Sequence, residues 1–284
     1  MSLVSVIIPT YNRSSTVSIA INSVLTQSFE DYEIIVVDDA STDNTAACVK
    51  ELEKRDNRIQ YYCQSHNEGA QAARNTGIRL SRGKWIAFLD SDDQWLPHSL
   101  AKRLEVARQC STHVVHSDCY VTCGNGDTKQ LGVPALAGWV YRDLLVRAGP
   151  MFQAFLVAKG ALERIGYLDE QIVAYQEWDT AIRLARHYPF GFVQKPTFIY
   201  NCCGEDTISK NVMYDAIGYR QVVHKHIISI LLRAGPAALA GHYRGIAIRL
   251  KRAGYYKAAR RYGSISFLLW PFPSREFLGR IVPR

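Results

Sequence analysis

The 284-residue chain has no Cys-x-x-Cys pair among its seven cysteines, Cys48, Cys63, Cys110, Cys119, Cys123, Cys202 and Cys203. An odd number of cysteines without such a pair argues against a disulfide framework and against a zinc site, and fits a reducing cytosol. No basic-then-apolar leader or amphipathic transit segment is read at the start, where Val4 already opens a strand-like run. The spacing of Gly69 and Gly77 is wrong for a Walker loop, and no Gly-x-Gly-x-x-Gly turn exists for a dinucleotide. Ser117-Asp118 has no histidine in an elbow arrangement, so a hydrolase triad is unsupported.

Acid is scarce in one region. The net charge is +8, yet residues 220–284 hold 13 of the 34 basic residues and one of the 26 acids, Glu276. The preceding 219 residues carry 21 basic against 25 acidic residues and are mildly negative. The tail is therefore a separate electrostatic object that calls for an anionic partner. From Tyr255 onward, Tyr255, Ala258, Ala259, Tyr262, Ile265 and Leu269 share one helical face, and Lys257, Arg260 and Arg261 the other. Such a helix can lie in a membrane interface or pack on the rest of the chain. The uncharged stretch from Tyr262 to Ser274 is too short to span a bilayer. No nucleic-acid recognition motif accompanies the charge.

What is present is alternation. Short β-branched runs at Val4 to Ile8, Glu33 to Val37, Ile59 to Tyr62 and Trp85 to Leu89 are separated by helical periodicity, such as Val17, Ala20, Ile21 and Val24. That pattern predicts βαβ units on a parallel sheet. Further helices are expected from Pro97, near Val140 to Val146, near Leu162 to Ile165 and over 177–186, with strands near His113 to Val121 and Phe198 to Tyr200. A turn is expected at Cys123-Gly124-Asn125-Gly126-Asp127, and helix from about Val212, divided by Gly235-Pro236 and Gly254.

In an open α/β sheet, ligands bind beyond the carboxyl ends of the strands. The polar residues there are Pro9-Thr10-Tyr11-Asn12-Arg13, Asp38-Asp39-Ala40-Ser41 and Asp90-Ser91-Asp92-Asp93. Tyr11 can stack on a base, and the carboxylate of Asp39 can accept from a uracil imide or a ribose hydroxyl. Asp90 and Asp92 suit a hard divalent cation. The segment from His66 to Gly77 opens a helix whose N-terminus suits a diphosphate, with Asn67 and Arg74 beside it.

Taken in order, Val4 to Asn12, Ile35 to Asp43, Asn67-Glu68-Gly69 through Ala73-Arg74-Asn75-Thr76-Gly77, and Phe88 to Asp93 resemble the family 2 glycosyltransferases, over roughly residues 3–200. The resemblance implies a GT-A fold, a Rossmann-like, mostly parallel sheet flanked by helices, here with a C-terminal helical extension. Residues 1–210 would form the nucleotide-sugar-binding and catalytic domain and 211–284 the basic tail. It also implies an inverting, hexosyltransferase-type enzyme using a nucleotide-diphosphate sugar, often UDP-linked, with Mn²⁺ or Mg²⁺. Pro9 and Tyr11 would line the donor site, Asp39 would meet the uracil, Asp90 the ribose or metal, and Asp92 the metal. Acceptors would be glycans or lipid-linked sugars of cell-surface polysaccharide synthesis, reached from the cytoplasmic membrane face.

The family's catalytic base usually lies in a Glu-Asp-Trp-Asp-like stretch. Here the chain reads Gln176-Glu177-Trp178-Asp179, so Glu177 falls where the aspartate base usually stands. Either Glu177 or Asp179 can take that role, with Trp178 as a sugar contact. A non-catalytic nucleotide-sugar-binding protein is the alternative that this departure raises.

Overall fold

The computed structural model describes residues 3–122, 127–202 and 211–271. Residues 123–126 of the expected turn lie outside them, as do 272–274 of the uncharged stretch. The chain divides into two units. The first comprises Met1–Gly138, Pro150–Glu170 and His187–Gly204, and the second Trp139–Gly149, Gln171–Arg186 and Glu205–Arg284. This is not a simple cut at 210, because the second unit also takes 139–149 and 171–186 from the preceding sequence.

The first unit contains β1 (Val4–Thr10), α1 (Val17–Leu25), β2 (Tyr32–Asp38), α2 (Thr45–Glu53), β3 (Ile59–Cys63), α3 (Ala70–Leu80) and β4 (Trp85–Phe88). It continues with β5 (Gln94–Trp95), α4 (Ser99–Gln109), β6 (Val114–Thr122), β7 (Thr128–Gln130), β8 (Leu156–Ala158), α6 (Lys159–Arg164) and β9 (Phe190–Asn201). Among the described residues these strands form one nine-stranded sheet in the order β3-β2-β1-β4-β8-β6-β9-β5, with β7 on β6. The β3-β2-β1-β4 half is wholly parallel, while the other half is mixed, with β6 parallel to β9 and β8 antiparallel to both β4 and β6.

β1 and β2 are buried along their whole length, as Val/Ile strands covered on both faces must be. α1 buries Val17, Ala20, Ile21 and Val24, the stripe read from the sequence, against the same core cluster as Val4, Val6 and Ile8. β9 is a twelve-residue strand where only Phe198 to Tyr200 was expected. Lys195-Pro196 disguises it, since proline interrupts a strand pattern, and the β6–β9 pairing shifts register at that point.

α3 packs against β1 at a close approach that explains Gly77. A Cβ there would stand 2.5 Å from Ile7 Cγ2, inside a fully buried side chain. Gly77→Ala is expected to cost about 1–3 kcal/mol, read as a Tm lowered by about 5 °C in thermal unfolding.

The second unit contains α5 (Tyr141–Leu144), α7 (Gln176–Ala185), α8 (Val212–Lys225) and α9 (Ile227–Ser229), which runs into a π-helical turn (Ile230–Ala234). α10 (Pro236–Arg252) and α11 (Tyr256–Leu269) follow. The breaks fall at Gly235-Pro236 and Gly254, where both glycines have positive φ. None of the described helices is long and apolar enough to cross a membrane.

Candidate active site

In the parallel half, Thr10 pairs with Asp38, Asp38 with Cys63, and Ile7 with Phe88. The strand ends therefore bring Tyr11, Asp39 and Asp90 out along one edge. Two loops are stitched together there. Asn12, in the left-handed region at φ 51, accepts at its side-chain oxygen from the Thr42 N–H at 2.8 Å and donates its own N–H to Ser41 Oγ at 2.8 Å. Asparagine tolerates that conformation better than most residues. The adjoining Tyr11 ring is 45% exposed, and Pro9 is buried inside β1.

Asp39 is buried. Its Oδ1 accepts from Gln64 Nε2 (2.7 Å) and the Glu68 N–H (2.8 Å), and its Oδ2 accepts from the Gly69 N–H (2.8 Å). It thus pins the segment that carries the exposed Asn67 and leads through Gly69, at φ 93, into α3. Asp38 has a structural role, accepting from the Ser41 N–H and the Tyr61 hydroxyl.

The acidic cluster is ordered by two side chains and a backbone N–H from elsewhere in the unit. Arg74, buried on α3 with its guanidinium 4.5 Å from the Phe152 ring centroid, donates to Asp90 Oδ1 at 2.5 Å. Gln153 donates to Asp90 Oδ2 at 2.7 Å and to Asp93 Oδ2 at 2.5 Å. The Asn201 N–H reaches Asp93 Oδ1 at 2.8 Å. Asp92 faces Arg13 at 3.7 Å, each side chain about a quarter exposed. Burial, then the neighbouring Asp90 charge, push the Asp92 carboxyl above its ordinary value, with Arg13 pulling the other way. Asp93 is pushed up further, again by burial first and Asp90 second.

Among the described residues no group of three or more His, Cys, Asp or Glu side chains is arranged as a metal cage. The donor chemistry of Asp90 and Asp92 nonetheless fits Mg²⁺ or Mn²⁺. Such hard cations are held by one or two carboxylates, with phosphate oxygens and water completing the shell. The crowding that raises Asp92 is the potential a divalent cation relieves.

In the second unit, α7 starts from Tyr175 at φ 63, a strained position for a tyrosine. The Tyr175 hydroxyl donates to Asp215 Oδ1 at 2.5 Å and accepts from Arg249 Nη2 at 3.1 Å. Gln176 donates its amide back to the Ile172 carbonyl. Glu177, on the first turn, is partly exposed. Trp178 is wholly buried, its indole N–H on the Leu144 carbonyl at 2.7 Å and its ring against Tyr175, Tyr219 and His242. Neither ring face is open to a sugar, so the expected sugar contact is replaced by core packing.

Asp179 is also buried. Its Oδ1 accepts from His226 Nε2 at 2.8 Å and its Oδ2 from Arg183 Nε at 2.8 Å, and Lys225 Nζ lies 2.9 Å from each oxygen. Burial pushes this carboxyl up, but the His226 hydrogen bond, the Arg183 charge and Lys225 outweigh it and hold it at about 2.

Several residues that build the site were missed in the sequence, namely Gln153, Asn201 and Gln64, and Arg13 was read at the strand end without a role. Gln153 gave one signal, a lone polar residue in Met151-Phe152-Gln153-Ala154-Phe155-Leu156.

The sequence profile of glycosyl transferase family 2 matches residues 5–156, more than half of the chain. The chain belongs to glycosyltransferase family 2. One relative of this glycosyltransferase is the UDP-Glc:alpha-D-GlcNAc-diphosphoundecaprenol beta-1,3-glucosyltransferase WfgD of Escherichia coli, 43% identical over 104 residues, covering 37% of this chain and 40% of WfgD. Another is the GalNAc(5)-diNAcBac-PP-undecaprenol beta-1,3-glucosyltransferase of Campylobacter jejuni, 29% identical over 273 residues, covering 91% of this chain and 86% of that enzyme. The chain spans less than half the length of the first two curated relatives it matches, 44% and 40%. Among solved structures, Staphylococcus aureus TarS 1-349 in complex with UDP-GlcNAc superposes with a TM-score of 0.66 at 15% identity, over 93% of this chain and 91% of that one. A mannosyltransferase from Pyrobaculum calidifontis in complex with GDP-Man and Mn²⁺ gives 0.61 at 19% identity, over 94% and 84%. These likenesses establish the GT-A fold.

Proposed function

We propose that this glycosyltransferase moves a sugar, with inversion, from a UDP-linked donor to a hydroxyl of a lipid-linked glycan in cell-surface polysaccharide synthesis. The observation that carries the donor half is the row of Tyr11, Asp39, Arg74, Asp90 and Asp92 along one edge of the parallel strands. The names of the Escherichia coli and Campylobacter jejuni relatives, both undecaprenol-linked glucosyltransferases, support the acceptor half.

The exposed Tyr11 ring stacks on the base. Asp39 holds the loop from Gln64 to Gly69 and keeps a lone pair for the uracil imide. Asp90, fixed by Arg74 and Gln153, and Asp92, fixed by Arg13, would hold Mn²⁺ or Mg²⁺. When bound, that ion offsets the charge of the leaving diphosphate, so no general acid is required. Glu177 takes the proton of the acceptor hydroxyl. The hydroxyl oxygen then attacks the anomeric carbon from the face opposite the diphosphate, and the breaking C–O bond leaves its electron pair on the diphosphate. Asp179 has no part in this step: a carboxylate held at about 2 by a histidine, an arginine and a lysine is too weak a base.

Calorimetric titration tests the donor site. UDP is expected to bind more tightly with Mn²⁺ than without it and more tightly than GDP. In Asp92→Asn the Mn²⁺-dependent gain should vanish, a loss of about tenfold or more. Because the Asp92 carboxyl is raised, the gain should also fade at a higher pH than an ordinary carboxylate would give as the solution is acidified. UDP affinity indifferent to Mn²⁺, in wild type and variant alike, would reject the metal assignment. Binding without any transfer to any acceptor would favour the non-catalytic alternative.

A further inference from the structure

The apolar side of α11 is already occupied. Ala259 and Ser266 are buried and Ala258, Tyr262, Ile265 and Leu269 partly so, with α11 packed along α10. The interfacial face read from the sequence is therefore used for packing, and any membrane contact must come from the opposite side. There Tyr256, Lys257, Arg260, Arg261, Phe267 and Leu268 are all exposed.

A second exposed apolar group joins them. Ser266 Oγ donates to the Ala240 carbonyl at 2.7 Å, so the last turns of α11 lie beside the first turns of α10. Those turns follow the π-helical turn directly through Gly235, whose N–H returns to the Ile230 carbonyl. The Tyr262 hydroxyl meets His224 Nε2 at 3.1 Å, which ties α11 to the end of α8, just before α9. Two apolar groups thus emerge at one end of the second unit: Ile228 (70% exposed), Leu231 (42%) and Leu232 (75%) on one helical face, and Phe267 (64%) and Leu268 (81%) on α11. Soluble surfaces seldom gather large apolar side chains in this way.

We propose that this end of the second unit seats the protein on an anionic lipid bilayer. Charge selects that occupant. The exposed Arg233 flanks one group and Arg260 and Arg261 the other, and no Asp or Glu occurs between Asp215 and Glu276. A second copy of the same cationic surface would be repelled, whereas anionic headgroups are attracted while leucine and phenylalanine enter the acyl boundary. The long arginine side chains keep their charge at headgroup level. The inference is independent of the donor and acceptor reading, because vesicle binding is measured without sugar transfer.

Cosedimentation of the full chain with phosphatidylcholine vesicles, with and without phosphatidylglycerol, tests it. The wild type should pellet with the anionic vesicles and be released by salt. Leu232→Glu combined with Leu268→Glu should weaken this partitioning about tenfold or more. Arg260→Gln combined with Arg261→Gln should weaken it about tenfold and abolish the preference for phosphatidylglycerol. Circular dichroism and UDP titration of both variants should match the wild type, since every altered side chain is exposed. Wild-type protein left in the supernatant at low salt, or a glutamate variant that pellets like the wild type, would overturn the proposal. So would concentration-dependent self-association that the glutamates abolish without any vesicle binding.

Discussion

Asp179→Asn is expected to lose about 2–4 kcal/mol of stability, because the buried Asp179 carboxylate is the shared partner of the partly buried Arg183 and His226 and of the more exposed Lys225. In thermal unfolding that is a Tm lowered by roughly 10 °C. The same cluster gives an acid limb. The folded carboxyl stands at about 2, below its ordinary value of about 3.9, so its contribution of about 2 kcal/mol is present above the ordinary value and is lost as pH falls from about 4 to about 2. The asparagine variant should lack that limb. A variant that melts like the wild type but has lost turnover would instead make Asp179 the base.

Glu177→Gln is expected to lower kcat about a thousandfold, within the range removal of a general base produces. The Kd for UDP should stay within about twofold and the Tm within a few degrees, since Glu177 is partly exposed on the first turn of α7 and the donor site is assigned to other residues. Glu177→Asp, which restores the residue type usual in the family at the cost of one methylene of reach, should keep measurable turnover. Steady-state transfer combined with UDP titration separates the two quantities. Turnover in Glu177→Gln within tenfold of the wild type would remove Glu177 from the reaction.

The parallel half of the sheet was legible because β1 and β2 are β-branched runs buried on both faces, which read as such without any knowledge of their neighbours, and because helical periodicity separates its strands. The strand-end residues were legible for the same reason: once the strands are placed, Tyr11, Asp39 and Asp90 follow at one edge. What fixes those residues was not. Gln153 reaches Asp90 across 63 positions and Asn201 reaches Asp93 across 108, and no local pattern encodes such contacts. Asp179 reads as an acid in a first helical turn, and only the arrival of Lys225 and His226 from the C-terminal end of α8 shows it to be an anchor. Trp178 likewise reads as an exposed aromatic beside a base until Tyr219 and His242 close over it. In α11 the helical wheel separated the two faces correctly, but the wheel could not say which one α10 would cover.

Transfer from UDP-hexoses to an undecaprenyl-diphosphate-linked acceptor, with the anomeric configuration of the product read by proton NMR, tests the central claim most directly. The account predicts a product whose new linkage is inverted relative to the donor, formed by the wild type and not by Glu177→Gln. A product that retains the donor configuration, or equal yields from the two proteins, would contradict it.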